Sequence, residues 1–320
     1  MKNTPKMTRL LLILLALATV LSTFAACATE NESNEVKSKE NENNGQNADA
    51  ESLDVSVMTF NIRVLTTKDT DARSWDSRKQ AVGDFILNQG VDILCMQEVS
   101  STQNQDLRDA LWEKYNIIWY GRDGTKGEGL AIAYDRSEWK LIDKRRFWLS
   151  ETPDVMSYGW DATTYRRICV TAVLEHQATG ARIGVYNVHL DNESATARTN
   201  GIKLVLERIA DCEHPVYLCG DFNATKSSDV YALSSAVMTD GQTAPTTEIG
   251  HSYNGWGTKN DPEKNLIDFT FFTKDAFEPV SYGICTDKWG NSNENFLSDH
   301  YAVKVTVKLL SLPKTDPENP

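Results

Sequence analysis

The chain has 320 residues and carries 33 Lys and Arg against 45 Asp and Glu, a formal net charge of −12. Its composition, with 40% hydrophobic residues, 18 Gly, 9 Pro and 6 Cys, excludes collagen-like, coiled-coil and disulfide-framework proteins, and its length allows one large domain or two ordinary ones. The acid excess argues against a broad electrostatic grip on nucleic acid. The acid excess is compatible with a small phosphate-ester substrate held by a few local charges and a metal ion.

The N-terminal residues 1–26 have the pattern of an export signal peptide. Basic residues precede an apolar run at 10–21, which is shorter than the roughly 20 residues that span a bilayer. The segment ends in the sequence TFAAC, which resembles a bacterial lipobox, where small residues precede a cysteine that becomes lipidated and N-terminal. We therefore expect an exported lipoprotein, held by a lipid on Cys27 at the extracytoplasmic side of the membrane. The alternative is a secreted protein in which Cys27 occurs by chance.

Residues 27–52 follow as a predicted linker, because Asn, Glu, Ser and Lys dominate and almost no apolar side chain is present. Such a segment cannot bury enough surface to offset its ordering entropy, so we expect it to be disordered and acidic. From residue 53 onward the chain keeps 38 acidic and 28 basic residues. No repeat or second linker follows, which predicts one domain over 53–310 and a flexible tail over 311–320. We expect a monomer without an obligate protein partner.

Short apolar runs dominate the predicted domain and indicate strands, while two stretches have the helical period. Several strands follow one another through turn-like links, so strict alternation of strands and helices is excluded. The pattern predicts an α/β fold of two stacked sheets covered by helices. The predicted strands are 53–61, 91–99, 129–134, 168–174, 183–190, 216–220, 267–272 and 301–309, and the predicted helices are 78–89 and 197–211, with Gly90 ending the first.

Several cysteine, histidine and tryptophan residues can be interpreted as ordinary core or surface residues. The five cysteines after Cys27 show no CxxC spacing and lie mostly in or beside apolar runs, so we interpret them as small core residues. His176 and His214 lack a motif and are predicted at the surface. Trp148, Trp160 and Trp256 are equally compatible with core packing and with stacking on a base, a sugar or a lipid headgroup.

The most informative feature is that chemically active side chains stand at the ends of the predicted strands. Residues placed at strand ends are held more rigidly than residues on loops, and strand ends that meet can build a site. The residues in question are Asn61, Glu98, His189, Asp221, Asn223, Asp268, Asp299 and His300.

These residue types suit hydrolysis at phosphorus. Mg²⁺ takes carboxylate oxygens, and Glu98 is its natural direct ligand. Asp221 beside Asn223 can orient and deprotonate an attacking water.

The two histidines fit the same reaction. His300 needs a partner that fixes its tautomer and stabilises its charged form, and Asp268 can supply it. His189 can hydrogen-bond a non-bridging phosphate oxygen. Together they favour in-line attack of water, with a metal and imidazoles stabilising the developing charge.

Six sequence blocks in this order resemble the endonuclease/exonuclease/phosphatase superfamily, which includes repair nucleases, deoxyribonucleases, deadenylases, inositol polyphosphate 5-phosphatases and bacterial sphingomyelinases. The resemblance covers essentially all of 53–308 and implies a four-layer α/β/β/α sandwich with two mostly antiparallel sheets. The blocks are TFNIR (59–63), MQEV (96–99), NVHLD (187–191), GDFNA (220–224), LIDFTFF (266–272) and SDH (298–300).

The resemblance also implies individual roles. It assigns metal binding to Glu98, with Asn61 and Asp299 close to the metal. It makes Glu128 the acid that supports His189, and Arg167 a phosphate-contacting arginine, with Arg166 as the alternative. The resemblance implies that Asp221 activates water, that Asn223 orients it, and that Asp268 and His300 form a pair.

The sequence as a whole predicts a Mg²⁺-dependent phosphoesterase, with Mn²⁺ as a possible substitute, exported and membrane-anchored. The segments 147–153 and 159–161 resemble an exported bacterial branch of the superfamily whose substrate the resemblance does not specify. The substrate is a small molecule, a lipid headgroup or a nucleic acid, and the low number of basic residues near the blocks favours the first two. The alternatives are an extracellular nuclease and a non-catalytic ligand-binding lipoprotein.

Overall fold

The computed structural model describes residues 52–248, 250–310 and 312. The helices are α1 (Trp75–Gln89), α2 (Ser101–Leu111), α3 (Ala195–Ala210), α4 (Asp229–Val237) and α5 (Pro262–Asn265). The strands are β1 (Leu53–Asn61), β2 (Ile93–Ser100), β3 (Tyr115–Asp123), β4 (Lys126–Asp135), β5 (Trp139–Trp148), β6 (Ile168–His176), β7 (Arg182–His189), β8 (Val216–Asp221), β9 (Met238–Asp240), β10 (Thr246–Thr247), β11 (Asp268–Thr273), β12 (Phe277–Cys285) and β13 (Ala302–Leu309).

The strands form two sheets, as predicted. One sheet has seven strands in the order β10-β12-β13-β1-β2-β4-β3, and the other has six in the order β5-β6-β7-β8-β11-β9. Antiparallel pairs predominate, but β1 pairs with β2 and β7 pairs with β8 in parallel. The parallel pairs matter for function, because they bring the carboxyl ends of neighbouring strands to the same edge.

The alternation of side chains along the strands builds the layers. In β1, Val55 and Val57 belong to the core between the sheets, whereas Met58 and Phe60 belong to a second core under the helices of the seven-stranded sheet. The Phe60 ring packs against Phe85 of α1, with ring centroids 5.6 Å apart. Side chains of α3 join the core of the six-stranded sheet. The predicted α/β/β/α sandwich is therefore confirmed.

Both predicted helices are present, and the local sequence explains their ends. The Ser74 side chain accepts a hydrogen bond from the Ser77 backbone N–H at the start of α1, and Gly90 adopts the left-handed conformation at its end. The prediction missed α2, which begins with a capping box between Ser100 and Gln103. Its apolar signal is weak, because its buried side chains are few and include the polar Gln103.

Gly220 provides the sharpest test of how the fold positions the site. Its φ of 142° disfavours any side chain, and a Cβ at this position would overlap the carbonyl oxygen of Val188 on the neighbouring strand. We expect Gly220→Ala to lower the free energy of unfolding by roughly 3 kcal/mol, because the backbone of β7 or β8 must move. Urea unfolding measures this. Gly283→Ala is the matched control, since nothing lies within 4 Å of a Cβ there; equal midpoints for the two variants would contradict the expectation.

Three of the cysteines, Cys95, Cys169 and Cys219, are buried and free, as predicted. The prediction for His176 was wrong: its side chain is buried and packs on Trp139, with ring centroids 5.1 Å apart. Among the described residues, the structure contains no helix with the length and apolar character that crossing a membrane requires. The predicted signal peptide, Cys27 and the linker up to residue 51 lie outside the described residues, as does the predicted tail except residue 312.

Candidate active site

The strand ends singled out in the sequence meet at one edge of the sandwich. His189 at the end of β7 is paired in register with Asp221 at the end of β8, and Asp268 at the start of the antiparallel β11 faces Asp221 from the other side. Asn61 ends β1 in the other sheet, and His300 lies two residues before the start of β13, the antiparallel neighbour of β1. A cleft of about 770 Å³ opens at this edge.

Asp221 lies at the centre of the group and is 2% exposed. Its Oδ2 atom accepts a hydrogen bond of 3.0 Å from Asn61 Nδ2 and lies 3.5 Å from His189 Nε2 and 3.8 Å from His300 Nε2. Its Oδ1 atom accepts a 2.9 Å hydrogen bond from the Asn223 backbone N–H. The carboxylate is therefore fixed in orientation while both imidazoles point towards one of its oxygens.

Asp268 and His300 form a buried pair. His300 Nδ1 lies 2.8 Å from Asp268 Oδ2, which leaves Nε2 directed towards Asp221. Burial acts to lower the pKa of His300, but the charge of Asp268 and its hydrogen bond outweigh burial and raise that pKa to about 10. The imidazole is accordingly held in its charged form, as the sequence interpretation requires.

Glu98 has a special backbone position. It lies where the register between β2 and β4 shifts, and its φ is 61° although it is not a glycine. Its Oε2 accepts a 2.8 Å hydrogen bond from the Val64 N–H, and its Oε1 accepts a 3.2 Å bond from Asn61 Nδ2. The bulge therefore turns the carboxylate into the cleft, next to the loop that follows β1.

The residues predicted to bind metal fit a hard divalent cation by their chemistry. Glu98, Asn61 and Asp299 supply carboxylate and amide oxygens, which Mg²⁺ prefers. Burial, together with the negative charges of Glu128 and Asp299, raises the pKa of Glu98. A cation bound here would relieve that concentration of negative charge.

A second group of possible metal ligands occurs in the described part of the chain. Ligand atoms of Asp221, Asp268 and His300 all lie within 4.8 Å of one another. Among the described residues, no other three acidic, His or Cys side chains come this close together. His300 Nδ1 is already bonded to Asp268, so this arrangement suits proton transfer better than metal binding. The assignment of the metal to Glu98, Asn61 and Asp299 remains a prediction.

Glu128 holds two guanidinium groups and one imidazole around a single carboxylate oxygen. Its Oε1 lies 2.9 Å from Arg122 Nη1, 3.4 Å from His189 Nδ1 and 3.5 Å from Arg167 Nη1. Burial acts to raise the pKa of Glu128, but the hydrogen bond and charge of His189 and the two guanidinium groups lower it to about 2. Arg166 instead pairs with Asp123 at 2.8 Å. Of the two predicted alternatives, Arg167 is therefore the one that lines the cleft.

Two further arginines belong to the site although the sequence assigned them no role. Arg63 binds Asp69 at 2.8 Å and lies 3.5 Å from Asp299. Arg122 stacks on Tyr165, which also lines the cleft, with 4.6 Å between the guanidinium carbon and the ring centroid. The contacts of Arg63 with Asp299 and of Arg122 with Tyr165 leave no signal in the sequence, because each joins segments that are far apart along the chain.

Arg78 is the least expected member of this region. It lies on the apolar face of α1, is fully buried, and donates hydrogen bonds to backbone carbonyls rather than to a carboxylate. Burial lowers its pKa to about 10. The acceptors are Arg73 O at 3.0 Å, Ile62 O at 2.6 Å, Leu297 O at 2.9 Å and Arg63 O at 2.8 Å. Arg78 thereby ties the loop after β1 to the segment that leads into Asp299 and His300.

Comparison with known proteins agrees with the family resemblance seen in the sequence. A sequence profile described as the Endonuclease/Exonuclease/phosphatase family matches residues 58–300. An endonuclease/exonuclease/phosphatase structure from Bacteroides vulgatus is 34% identical with a TM-score of 0.73, covering 80% of this chain and 99% of that one. The mannosyl-6-phosphatase of Bacteroides thetaiotaomicron is 30% identical with a TM-score of 0.73, covering 79% of this chain and 99% of that one.

Curated sequence relatives include a nuclease. The CCR4-Not complex 3'-5'-exoribonuclease subunit Ccr4 of Candida glabrata is 23% identical over 240 residues, which is 64% of this chain. The chain spans only 25% of the length of that relative.

Proposed function

The chain belongs to the endonuclease/exonuclease/phosphatase family, whose members hydrolyse phosphoester bonds, and from this premise we propose that it is a divalent-metal-dependent phosphatase acting on a small phosphate monoester. The observation that carries the proposal is the Asp221 carboxylate, which faces two imidazoles in a cleft that Glu98 also lines. This arrangement supplies a base, cationic groups and a metal ligand within one cavity.

The chain's own residues account for activation of the attacking water. Asn61 Nδ2 and the Asn223 N–H hold the Asp221 carboxylate, which accepts the proton from the water. Asp268 keeps His300 protonated, so His300 Nε2 donates a hydrogen bond to the phosphoryl group as negative charge develops. His189, supported by Glu128 on its other nitrogen, contacts a non-bridging oxygen.

Glu98, Asn61 and Asp299 are the residues that would hold the metal. When bound there, Mg²⁺ or Mn²⁺ supplies positive charge that stabilises the phosphoryl oxygens and the leaving group. Arg63, which contacts Asp299, helps to keep that carboxylate in place.

The charges of the cleft favour a small substrate over a long polyanion. Arg63 is paired with Asp69 and Asp299, and both Arg122 and Arg167 lie against Glu128, so few cationic groups remain available for successive phosphates. The mannosyl-6-phosphatase, at 30% identity, supports a phosphorylated sugar as the substrate class. The second candidate is a nuclease, which the similarity to Ccr4 favours. A non-catalytic binding protein is disfavoured, because Glu98, Asp221 and His300 are all present.

Phosphate release from a small set of substrates tests the proposal. We expect the purified protein to hydrolyse mannose 6-phosphate and p-nitrophenyl phosphate with Mg²⁺ or Mn²⁺, to lose activity in EDTA, and to be inactive as Glu98→Ala. Activity that survives EDTA would contradict the metal dependence. Faster cleavage of DNA or bis-p-nitrophenyl phosphate, with the steep loss of DNA cleavage in added salt typical of polyanion binding, would identify the nuclease instead.

We also propose that the protein acts outside the cytoplasmic membrane as a monomer, anchored through a lipid on Cys27. The support is the lipobox-like sequence and the acidic linker that follows it. We expect Cys27→Ser to move the protein from the membrane fraction to a soluble fraction, because the lipid attachment atom is lost. Fractionation of expressing bacteria measures this, and an unchanged distribution would contradict lipid anchoring.

A further inference from the structure

A second cavity of about 650 Å³ lies outside the catalytic cleft. Its walls are the turn Asp71–Arg73, the loop residue Trp256 and the segment 293–296. None of these residues takes part in the chemistry described above. We call this cavity the distal groove.

The distal groove adjoins the catalytic cleft, because the same two loops line both cavities. Residues 63–66 and Lys68 of the loop after β1 line the cleft, and residues 70–73 of that loop line the groove. In the second loop, Tyr253 lines the cleft and Trp256 lines the groove. The cleft and the groove therefore share two loops in their walls.

Arg78 makes this junction rigid. It donates hydrogen bonds to Arg63 O on the cleft side and to Arg73 O on the groove side of the same loop. Its guanidinium carbon also lies 5.7 Å from the Trp256 ring centroid. In addition, Trp256 and Asp71 have positive φ values of 59° and 53°, conformations that non-glycine residues rarely adopt. The groove walls are thus held in a defined shape.

The chemistry of the groove suits a neutral polyhydroxylated group. Trp256 and Phe296 are half-buried aromatic residues of its lining, with the guanidinium groups of Arg73 and Arg78 beside the first and the Lys288 ammonium group beside the second. Asn293 and Asn295 offer carboxamide donors and acceptors. The charged residues that line it are Asp71, Arg73 and Glu294, an acidic balance that disfavours a second phosphate. A sugar ring combines an apolar C–H face with peripheral hydroxyls and matches both features.

The geometry of in-line attack is a further argument for a ligand group in the distal groove. In-line attack puts the water and the leaving group on opposite sides of phosphorus, and Asp221, the proposed base, lies on the six-stranded sheet. The leaving group then lies on the side of phosphorus away from Asp221, and the loop after β1 is among the segments that line the cleft. That loop separates the cleft from the groove.

We propose that the distal groove is a subsite for a further sugar residue, so that the preferred substrate is a phosphorylated oligosaccharide rather than a single sugar phosphate. This inference rests on the proposed phosphatase activity. Contacts remote from the reacting bond raise kcat/KM when their binding energy is used in the transition state. A second sugar in the groove is expected to have this effect.

The test compares kcat/KM for 6-phosphomannobiose, phosphorylated on its non-reducing residue, with kcat/KM for mannose 6-phosphate. We expect a ratio of about 10 for the wild-type protein and a fall towards 1 in Trp256→Ala. Asn293→Ala, an exposed position at the groove, should lower the ratio without threatening the fold. Trp112→Ala is the control, because Trp112 is 60% exposed and lines neither cavity; it should keep the wild-type ratio.

The outcomes separate the two proposals. No turnover of either sugar phosphate would overturn the proposed function itself. Turnover of both with a wild-type ratio near 1, or a ratio that both Trp256→Ala and Asn293→Ala leave unchanged, would overturn the subsite alone. Preferential hydrolysis of phospholipid vesicles over 6-phosphomannobiose would also overturn it, because the groove would then serve a different ligand.

Discussion

Asp221→Asn is expected to reduce kcat for phosphate release by about 10³-fold. The amide keeps the shape of the side chain and an oxygen that accepts from the Asn223 N–H, but it cannot take a proton from water. Binding of the phosphate should change little, so KM is expected to stay within a few-fold. Steady-state kinetics with p-nitrophenyl phosphate and saturating Mg²⁺ measure both constants.

A matched substitution shows whether the effect belongs to the site. Asp211 follows α3 at an exposed position and lies outside the cleft, so Asp211→Asn should keep the wild-type kcat. If Asp221→Asn retained more than a tenth of the wild-type kcat, Asp221 would not be the base. The proton would then have to go to another group in the cleft.

Asp268→Asn is expected to move the alkaline limit of activity to lower pH. In the wild-type protein Asp268 raises the pKa of His300 to about 10, against an ordinary value of 6.5. Without the carboxylate only burial, which lowers the pKa of His300, and the remaining acids, which raise it, still act, so this pKa should fall. A fall to the ordinary value of 6.5 makes His300 neutral at pH 8 in about 97% of molecules and lowers activity there roughly 30-fold.

The pH profile of kcat/KM and the NMR titration of the His300 ring protons test this. We expect activity of Asp268→Asn to recover as pH is lowered, because protonation of His300 returns below its new pKa. Asp240→Asn is a suitable control, since Asp240 is also a buried acid, bonded to the Tyr231 hydroxyl, and lies outside the cleft. An unshifted alkaline limb in Asp268→Asn would show that the pair does not control the reaction.

Much of the fold could be predicted because its strands are buried and short. The runs that contain β6 and β8 are largely apolar, β1 alternates polar and apolar residues along its length, and α1 has an apolar face with a glycine at its end. Among the elements that escaped prediction, β5 and α2 lack such a pattern. β5 has a row of exposed residues in its centre, and α2 has few buried side chains, so their positions depend on pairing with neighbours.

The residues of the site also divide into those that the sequence could predict and those that it could not. Asp221, Asp268 and His300 could be predicted because each directly adjoins an apolar strand and has a chemically distinctive side chain. The choice between Arg166 and Arg167 could not be made from the sequence, because adjacent residues in extended chain point to opposite sides. Only the position of Glu128 on β4 decides that Arg167 is the one facing the cleft.

Part of the chain's excess of acidic residues has a defined role in the tertiary structure. The sequence by itself identified the candidate reacting groups, because strand-end residues keep their neighbours and their chemistry in any arrangement of the sheets. The tertiary structure decided how those groups are charged and what they can bind. It converges Arg122, His189 and Arg167 on Glu128, and it places Arg78 beneath two loops that join the cleft to the distal groove. The contact of Arg122 with Glu128 lies within one hairpin, but His189 and Arg167 reach Glu128 from segments far apart in the chain, and packing of the two sheets brings them together.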